Sequence, residues 1–233
     1  IDAAFGLGLM VGPALAALLS PYGLGVPALV AAGFALINTL YALVVLPESL
    51  PPERRTRHGF AVGNLVGRLA TALAMPQIRP LLLAIFLLNL AFNGLQSNFP
   101  VFSNARFGWD AQANGLFFAF VGVCAVITQG VLVGRVQPIF GEVRLVLAGL
   151  GVMALALLLM AAASTAWLLY PLVALIALGS GLAIPSITSL VSQRSPEGRQ
   201  GAVLGGMQSV LSITLIIGPA LAGGLFDAFG TGA

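Results

Sequence analysis

The sequence has 233 residues, 59% hydrophobic and only 7% charged, with a net charge of +3 and a single cysteine. A soluble domain carries roughly a quarter charged residues, so a chain with mean hydropathy +1.04 cannot cover a water-facing surface and reads as a polytopic membrane protein. All ten basic residues are Arg, placed singly or in one short cluster, which excludes the continuous basic face of a nucleic-acid binder.

A helix crossing the hydrocarbon needs about 20 largely apolar residues. The sequence offers roughly seven such runs, near 3–19, 26–46, 81–102, 113–134, 145–163, 166–191 and 201–226. The first contains Gly12-Pro13-Ala14-Leu15-Ala16, which returns in the last as Gly218-Pro219-Ala220-Leu221-Ala222. The two runs cross in the same direction, as a parallel repeat of six-helix halves requires. Doubling the spacing between the copies implies a parent of about 400 residues. The chain begins at Ile1 already close to a spanning run, which suggests a piece of a longer protein.

Most connections are short. The exception, 47–80, opens "PESLPPERRTRH" and carries a proline cluster and the only histidine, His58, expected to be a solvated loop residue. It reads as a linker between two bundles. Arg54, Arg55, Arg57, Arg68 and Arg79 lie in it, Arg135 and Arg144 flank a later loop on the same side, and Arg194 and Arg199 follow the sixth run. The intervening loops hold only Arg106, so the positive-inside rule puts the linker in the cytoplasm. Arg without Lys points to a GC-rich bacterial source, and hence to the bacterial inner (plasma) membrane.

The third run is the most polar at depth. Asn89, Asn93 and Gln96, at i, i+4 and i+7, share one helical face, and Phe92 borders it. Polar groups in hydrocarbon face a cavity or a bundle interior, so this stripe either lines a substrate path or bonds neighbouring helices. Asn98 lies off the stripe and reads as a packing or rim residue. In the sixth run Gly179, Gly181 and Pro185 mark either a pliable segment or close packing. Gln208 and Ser212 form a polar pair on the last run, with Gln208 a further cavity candidate.

In the first run Gly8, Gly12, Ala16 and Ser20 recur every fourth residue, a ridge that lets another helix approach closely. Pro13 leaves the carbonyl of Leu9 without its donor and bends the helix. In the second copy Thr214 stands where the first has Gly8, so Gly218-Pro219 reads as packing.

No carboxylate occupies the middle of a run: Glu48, Glu53, Asp110, Glu142, Glu197 and Asp227 lie at loops or run ends, and Asp2 at the start of the chain. A proton relay uses such a mid-span group, so the coupling site is expected outside this sequence. With one His in a loop, serines such as Ser180 and Ser186 lack an activating base. No enzyme, metal site or cofactor is therefore expected. Without Lys no retinal Schiff base can form. Cys124, inside an apolar run, is expected to be a small packed hydrophobe.

The segment "GLGLMVGPALAALL" resembles the antiporter motif GxxxGPxxGG of the fifth helix in the drug:proton antiporter branch of the major facilitator superfamily, which includes tetracycline-efflux proteins. Gly8, Gly12 and Pro13 match, while Ala16 and Ala17 replace the final glycines. "GRVQPIFGEVR" is similar to a degenerate GxxxDRxGRR loop motif. Gly134, Arg135, Gly141, Glu142 and Arg144 fall within it, and Pro138 stands where the acid would be. Arg135, Glu142 and Arg144 either latch one conformation or simply anchor the loop.

The resemblance implies an all-α major facilitator fold, about seven of an expected twelve helices, numbers five to eleven. It divides the chain into 1–46, the end of the first bundle; 47–80, the cytoplasmic linker; and 81–233, the second bundle without its twelfth helix. It implies proton-coupled efflux of small amphipathic compounds or drugs by alternating access. Asn89, Phe92, Asn93, Gln96 and Gln208 would line the cavity, with lipid, substrate and protons as partners. An uptake symporter for a sugar or other metabolite is the alternative, and a seven-helix receptor a remote one.

Overall fold

The computed structural model describes residues 2–23, 25–45, 67, 70 and 72–230. The linker charges Glu48, Glu53, Arg54, Arg55, Arg57, His58 and Arg68 lie outside them. In chain order the helices are α1 (Asp2–Leu19), α2 (Val26–Val45), α3 (Arg79–Phe107), α4 (Ala111–Ile127), α5 (Val133–Phe140), α6 (Glu142–Ala161), α7 (Ala166–Arg194) and α8 (Gln200–Phe229). A 3-10 turn, Ser20–Tyr22, follows α1, and a π turn, Thr128–Leu132, joins α4 to α5.

Six helical segments are long and apolar enough to cross a membrane, with Ala111–Phe140 running as one span through the π turn. The apolar helix at Val11–Tyr22 is shorter. Each of the seven expected runs thus holds a helix, the first of them the 18-residue α1.

Several helices outrun their apolar stretches because their ends are satisfied by polar chemistry. Pro80 sits in the first turn of α3, where a missing N–H costs nothing. The far end stops at Gly108 (φ 70°), whose N–H returns to the carbonyls of Asn104 and Ser103. Two residues later the Asp110 carboxylate accepts from the Ala113 N–H at 2.8 Å, an N-cap that starts α4.

Packing is organised in three helix pairs, α6 with α7, α1 with α4 and α3 with α8, each brought together at glycine. A methyl on Gly149 would lie 2.5 Å from the carbonyl oxygen of Gly179, and one on Gly179 equally close to that of Gly149. Gly115 of α4 has no room for a side chain against Ala17, where a methyl would come within 2.6 Å of the alanine Cβ. Gly218 of α8 abuts the backbone of Gly94 and Leu90 on α3. Small residues let helix backbones approach in lipid, where packing replaces hydrophobic exclusion as the driving force.

A core of apolar side chains, among them Ile85, Phe117, Met153, Ile176 and Val203, ties α3, α4, α6, α7 and α8 together. Many large apolar side chains, including Leu147, Leu158 and Ile216, remain exposed, as a lipid-facing surface requires. The last residues before α3 join this body: Ala72 and Ile78 are fully buried. The Gln77 amide donates to the Arg194 carbonyl at 3.1 Å, and the Arg194 guanidinium to that of Gln77 at 3.4 Å. The α2 helix has no buried side chain.

Candidate functional site: a neutral polar layer at membrane depth

The stripe on α3 divides into three environments. Asn89 turns back on its own helix, donating to the carbonyl of Ile85 at 3.0 Å. Asn93 crosses to α8 and donates to the Thr214 hydroxyl at 3.0 Å, which in turn donates to the carbonyl of Leu211. Thr214 is fully buried. Asn98 leans on the same seam, with its amide 3.5 Å from the carbonyl of Ala222. Asn93 therefore makes the interhelical bond that was one of its two readings.

Gln96 and Phe92 instead line a small cavity of about 20 Å³ together with Phe99, Phe117 and Phe118, room for about one water molecule. Its wall is otherwise apolar. Gln208 is exposed on α8, apart from this cavity, and its carbonyl accepts from the Ser212 hydroxyl at 3.0 Å.

Towards the loop between α3 and α4 the cavity merges into an aromatic cluster. Phe99 and Phe117 stack with centroids 4.4 Å apart, and Tyr170 of α7 meets Phe117 edge-on at 5.3 Å. Trp109 adds an edge-on contact to Phe117 at 5.4 Å. Offset and edge-to-face pairs of this kind add to area burial. Arg106 sits 5.7 Å over the ring of Phe102. Beneath the loop, the Ser103 hydroxyl donates to the buried Asn114 side-chain oxygen at 2.7 Å.

On α1, Gly8 and Gly12 are exposed with open space around them. With Ala16 they face a cleft of about 630 Å³ bounded across from them by Pro27 and Phe34 of α2. The close contact with α4 is made by the neighbouring stripe, Ala17 and the carbonyl of Pro13, against Gly115. Residues at i and i+1 on a helix lie about 100° apart, so the small ridge and the buried seam are adjacent faces.

At the loop between α5 and α6, Gly141 (φ 74°) closes α5 and opens α6, a conformation that favours glycine. Glu142 accepts from the amides of Gln193 at 2.9 Å and Gln137 at 3.3 Å, and from the Ser189 hydroxyl at 3.3 Å. Among the described residues its partners are thus neutral side chains of α5 and α7. Arg135, Arg144 and Gly134 are exposed.

Thr214, Gly115 and the aromatic cluster went unassigned in the sequence. Thr214 was legible only as a residue replacing glycine. Gly115 stands between Ala111 and Ala119 at four-residue spacing, but the need for glycine rather than alanine appears only once Ala17 is opposite.

Among the described residues no group of three or more His, Cys, Asp or Glu could hold a metal ion. The depth of the bundle presents amides, hydroxyls and aromatic faces. It can solvate a neutral or amphipathic molecule by hydrogen bonding and stacking.

Six helices long and apolar enough to cross a membrane define a multi-pass integral membrane protein. Residues 1–219 match the family model of the Major Facilitator Superfamily, and the chain belongs to that superfamily. It is 29% identical over 228 residues to the class C tetracycline resistance protein of Escherichia coli, covering 98% of this chain and 57% of that protein. It is 28% identical over 233 residues to the class D tetracycline resistance protein of Salmonella ordonez, covering 97% of this chain and again 57% of the relative. The human hippocampus abundant transcript-like protein 1 is 29% identical over 241 residues, covering 98% of this chain and 46% of that one. The chain thus spans about half the length of the curated relatives it matches. In fold it is similar to the crystal structure of the human organic anion transporter MFSD10 (TETRAN), with a TM-score of 0.73 at 23% identity, covering 99% of this chain and 57% of that one.

Proposed function

We propose that the protein containing this chain exports small amphipathic compounds across a bacterial inner membrane in exchange for protons, by alternating access of two helical bundles. The observation that carries the reading is the Gly8-x-x-x-Gly12-Pro13 segment on α1, a helix packed onto α4 with Pro13 and Ala17 pressed against Gly115. Residues 1–46 belong to one bundle, 47–80 link the two, and 81–233 belong to the other, so α1 on α4 is a contact between bundles. A dry, close contact there restricts leak while the bundles rock.

Phe92 and Gln96 form the wall nearest the substrate, with Asn89, Asn93 and Gln208 bordering the path. The tetracycline resistance proteins among its relatives support an efflux role. The coupling carboxylate lies outside these 233 residues, since no acid stands at mid-span within them. Function needs no cofactor and involves no catalysis.

The reading is tested by expressing the full-length protein in everted vesicles, acidifying the lumen and following tetracycline or a lipophilic dye. Accumulation that collapses when the pH gradient is dissipated is expected. Transport indifferent to the gradient removes antiport, and release of preloaded substrate with protons identifies an uptake symporter instead. In the same vesicles, Gln96→Leu is expected to change the relative rates for different compounds at unchanged expression.

A further inference from the structure

The residues that lead into α3 fold back on the bundle and bring two arginines together. From Ala72 to Arg79 the chain forms a tight turn, in which the N–H groups of Ile78 and Arg79 both bond to the carbonyl of Met75. Two carbonyls of this turn each hold a guanidinium. That of Leu73 accepts from Arg79 Nε, and that of Gln77 accepts from Arg194 at 3.4 Å. The Gln77 amide closes the clasp on the carbonyl of Arg194.

Both arginines end membrane spans, Arg79 as the first residue of α3 and Arg194 as the last of α7. Their guanidiniums therefore stand where hydrocarbon gives way to headgroups. Both side chains are exposed, and among the described residues neither pairs with a carboxylate. Glu142 is the acid that reaches this end of α7, and it is engaged by Gln193, Ser189 and Gln137. The last carbonyls of α7, which would repel an anion, are capped. Ser195 bonds to those of Val191 and Ser192, and Gln77 to that of Arg194. A carbonyl uses one of a guanidinium's N–H donors, so most remain, in planar forks that match phosphate oxygens.

The surface next to the pair is apolar. Leu83 and Leu87 follow Arg79 at i+4 and i+8 on one helical face, and are 58% and 53% exposed. Leu73 is exposed beside them. A paired positive charge at the rim of an apolar stripe complements a lipid, with phosphate at the arginines and acyl chain on the leucines. A soluble phosphate makes no use of the stripe.

We propose that Arg79 and Arg194, held together by the Gln77 clasp, form a headgroup site for one anionic phospholipid whose acyl chain lies along Leu83 and Leu87. Basic pockets between helices on the arginine-rich side of a membrane recognise such headgroups. The lipid bridges the start of α3 and the end of α7, and fastens the segment entering α3 to the bundle.

The test is native mass spectrometry of the full-length protein in mild detergent, given equal amounts of phosphatidylglycerol and phosphatidylcholine with matched chains. One phosphatidylglycerol is expected to survive activation that strips phosphatidylcholine. Arg79→Gln leaves the Gln77–Arg194 clasp in place and is expected to lower the occupancy of that lipid several-fold, with Arg79→Lys recovering part of it. Arg144→Gln, the loss of an exposed arginine elsewhere, should leave it unchanged. Leu83→Ser tests the same lipid from its acyl end and is expected to lower its occupancy while both guanidiniums remain. Equal retention of the two lipids, or equal loss in Arg79→Gln and Arg144→Gln, overturns the site. Displacement of the lipid by millimolar inorganic phosphate, with no effect of Leu83→Ser, assigns the arginines to a free anion and overturns the lipid.

Discussion

Asn93 illustrates what a polar side chain does inside a helical membrane protein. Its bond to Thr214 lies between the two helices that Gly94 and Gly218 bring together, so polar specificity and close packing coincide. Replacing Thr214 with Val keeps the volume and removes the bond. The expected loss is about 0.5–1.5 kcal/mol, in the range of interhelical hydrogen bonds in bilayers, read as a lowered unfolding midpoint in detergent. A double-mutant cycle with Asn93→Leu should recover most of that value as coupling. Ser186 presents the opposite case, since its hydroxyl is fully buried and unpaired. An unsatisfied buried polar group costs about 1–3 kcal/mol, so Ser186→Ala is expected to leave the midpoint unchanged or raise it. A lowered midpoint would show that this hydroxyl has a partner in the full protein. The sequence showed that Asn89, Asn93 and Gln96 share a face, because helical period alone decides that. It could not show that they part company, since Thr214 is 121 residues from Asn93 along the chain.

At the scale of elements, the recurring device is a glycine opposite a backbone. Gly149 and Gly179 each sit where any Cβ would strike the other's carbonyl oxygen. Gly179→Ala must therefore push α6 from α7, costing about 1–3 kcal/mol as overpacking does, measurable as a drop in thermal stability. Gly130, with open space around it, should tolerate the same change nearly without effect. A methyl on Gly181 would lie 2.7 Å from Thr128 Cγ2, so Gly181→Ala should displace the π turn and lower stability. Helix positions were legible because apolar length is a property of the local sequence. The π turn was not, because Thr128-Gln129-Gly130 is compatible with an ordinary helix until Gly181 lies against it. Which face of α1 is buried was equally hidden. Gly8, Gly12 and Ala16 form the smaller ridge, yet Ala17 makes the contact because Gly115 stands opposite.

Across the whole molecule, the bilayer explains why composition revealed so much. Every backbone group must be bonded internally in hydrocarbon, which leaves a chain this apolar few architectures other than a helical bundle. The order of the antiporter motif, a long basic linker and a loop motif then pointed to a superfamily that the match over residues 1–219 bears out. The chemistry of the site was less legible, because the amides, hydroxyls and aromatic rings at depth look like packing residues. The central claim is that substrate leaves as protons enter. It is tested most directly by acidifying everted vesicles containing the full-length protein, following the lumenal pH with a quenched dye, and adding tetracycline. Antiport predicts immediate partial recovery of fluorescence, dependent on tetracycline concentration and absent from vesicles without the protein. An unchanged lumenal pH while tetracycline crosses the membrane would contradict it.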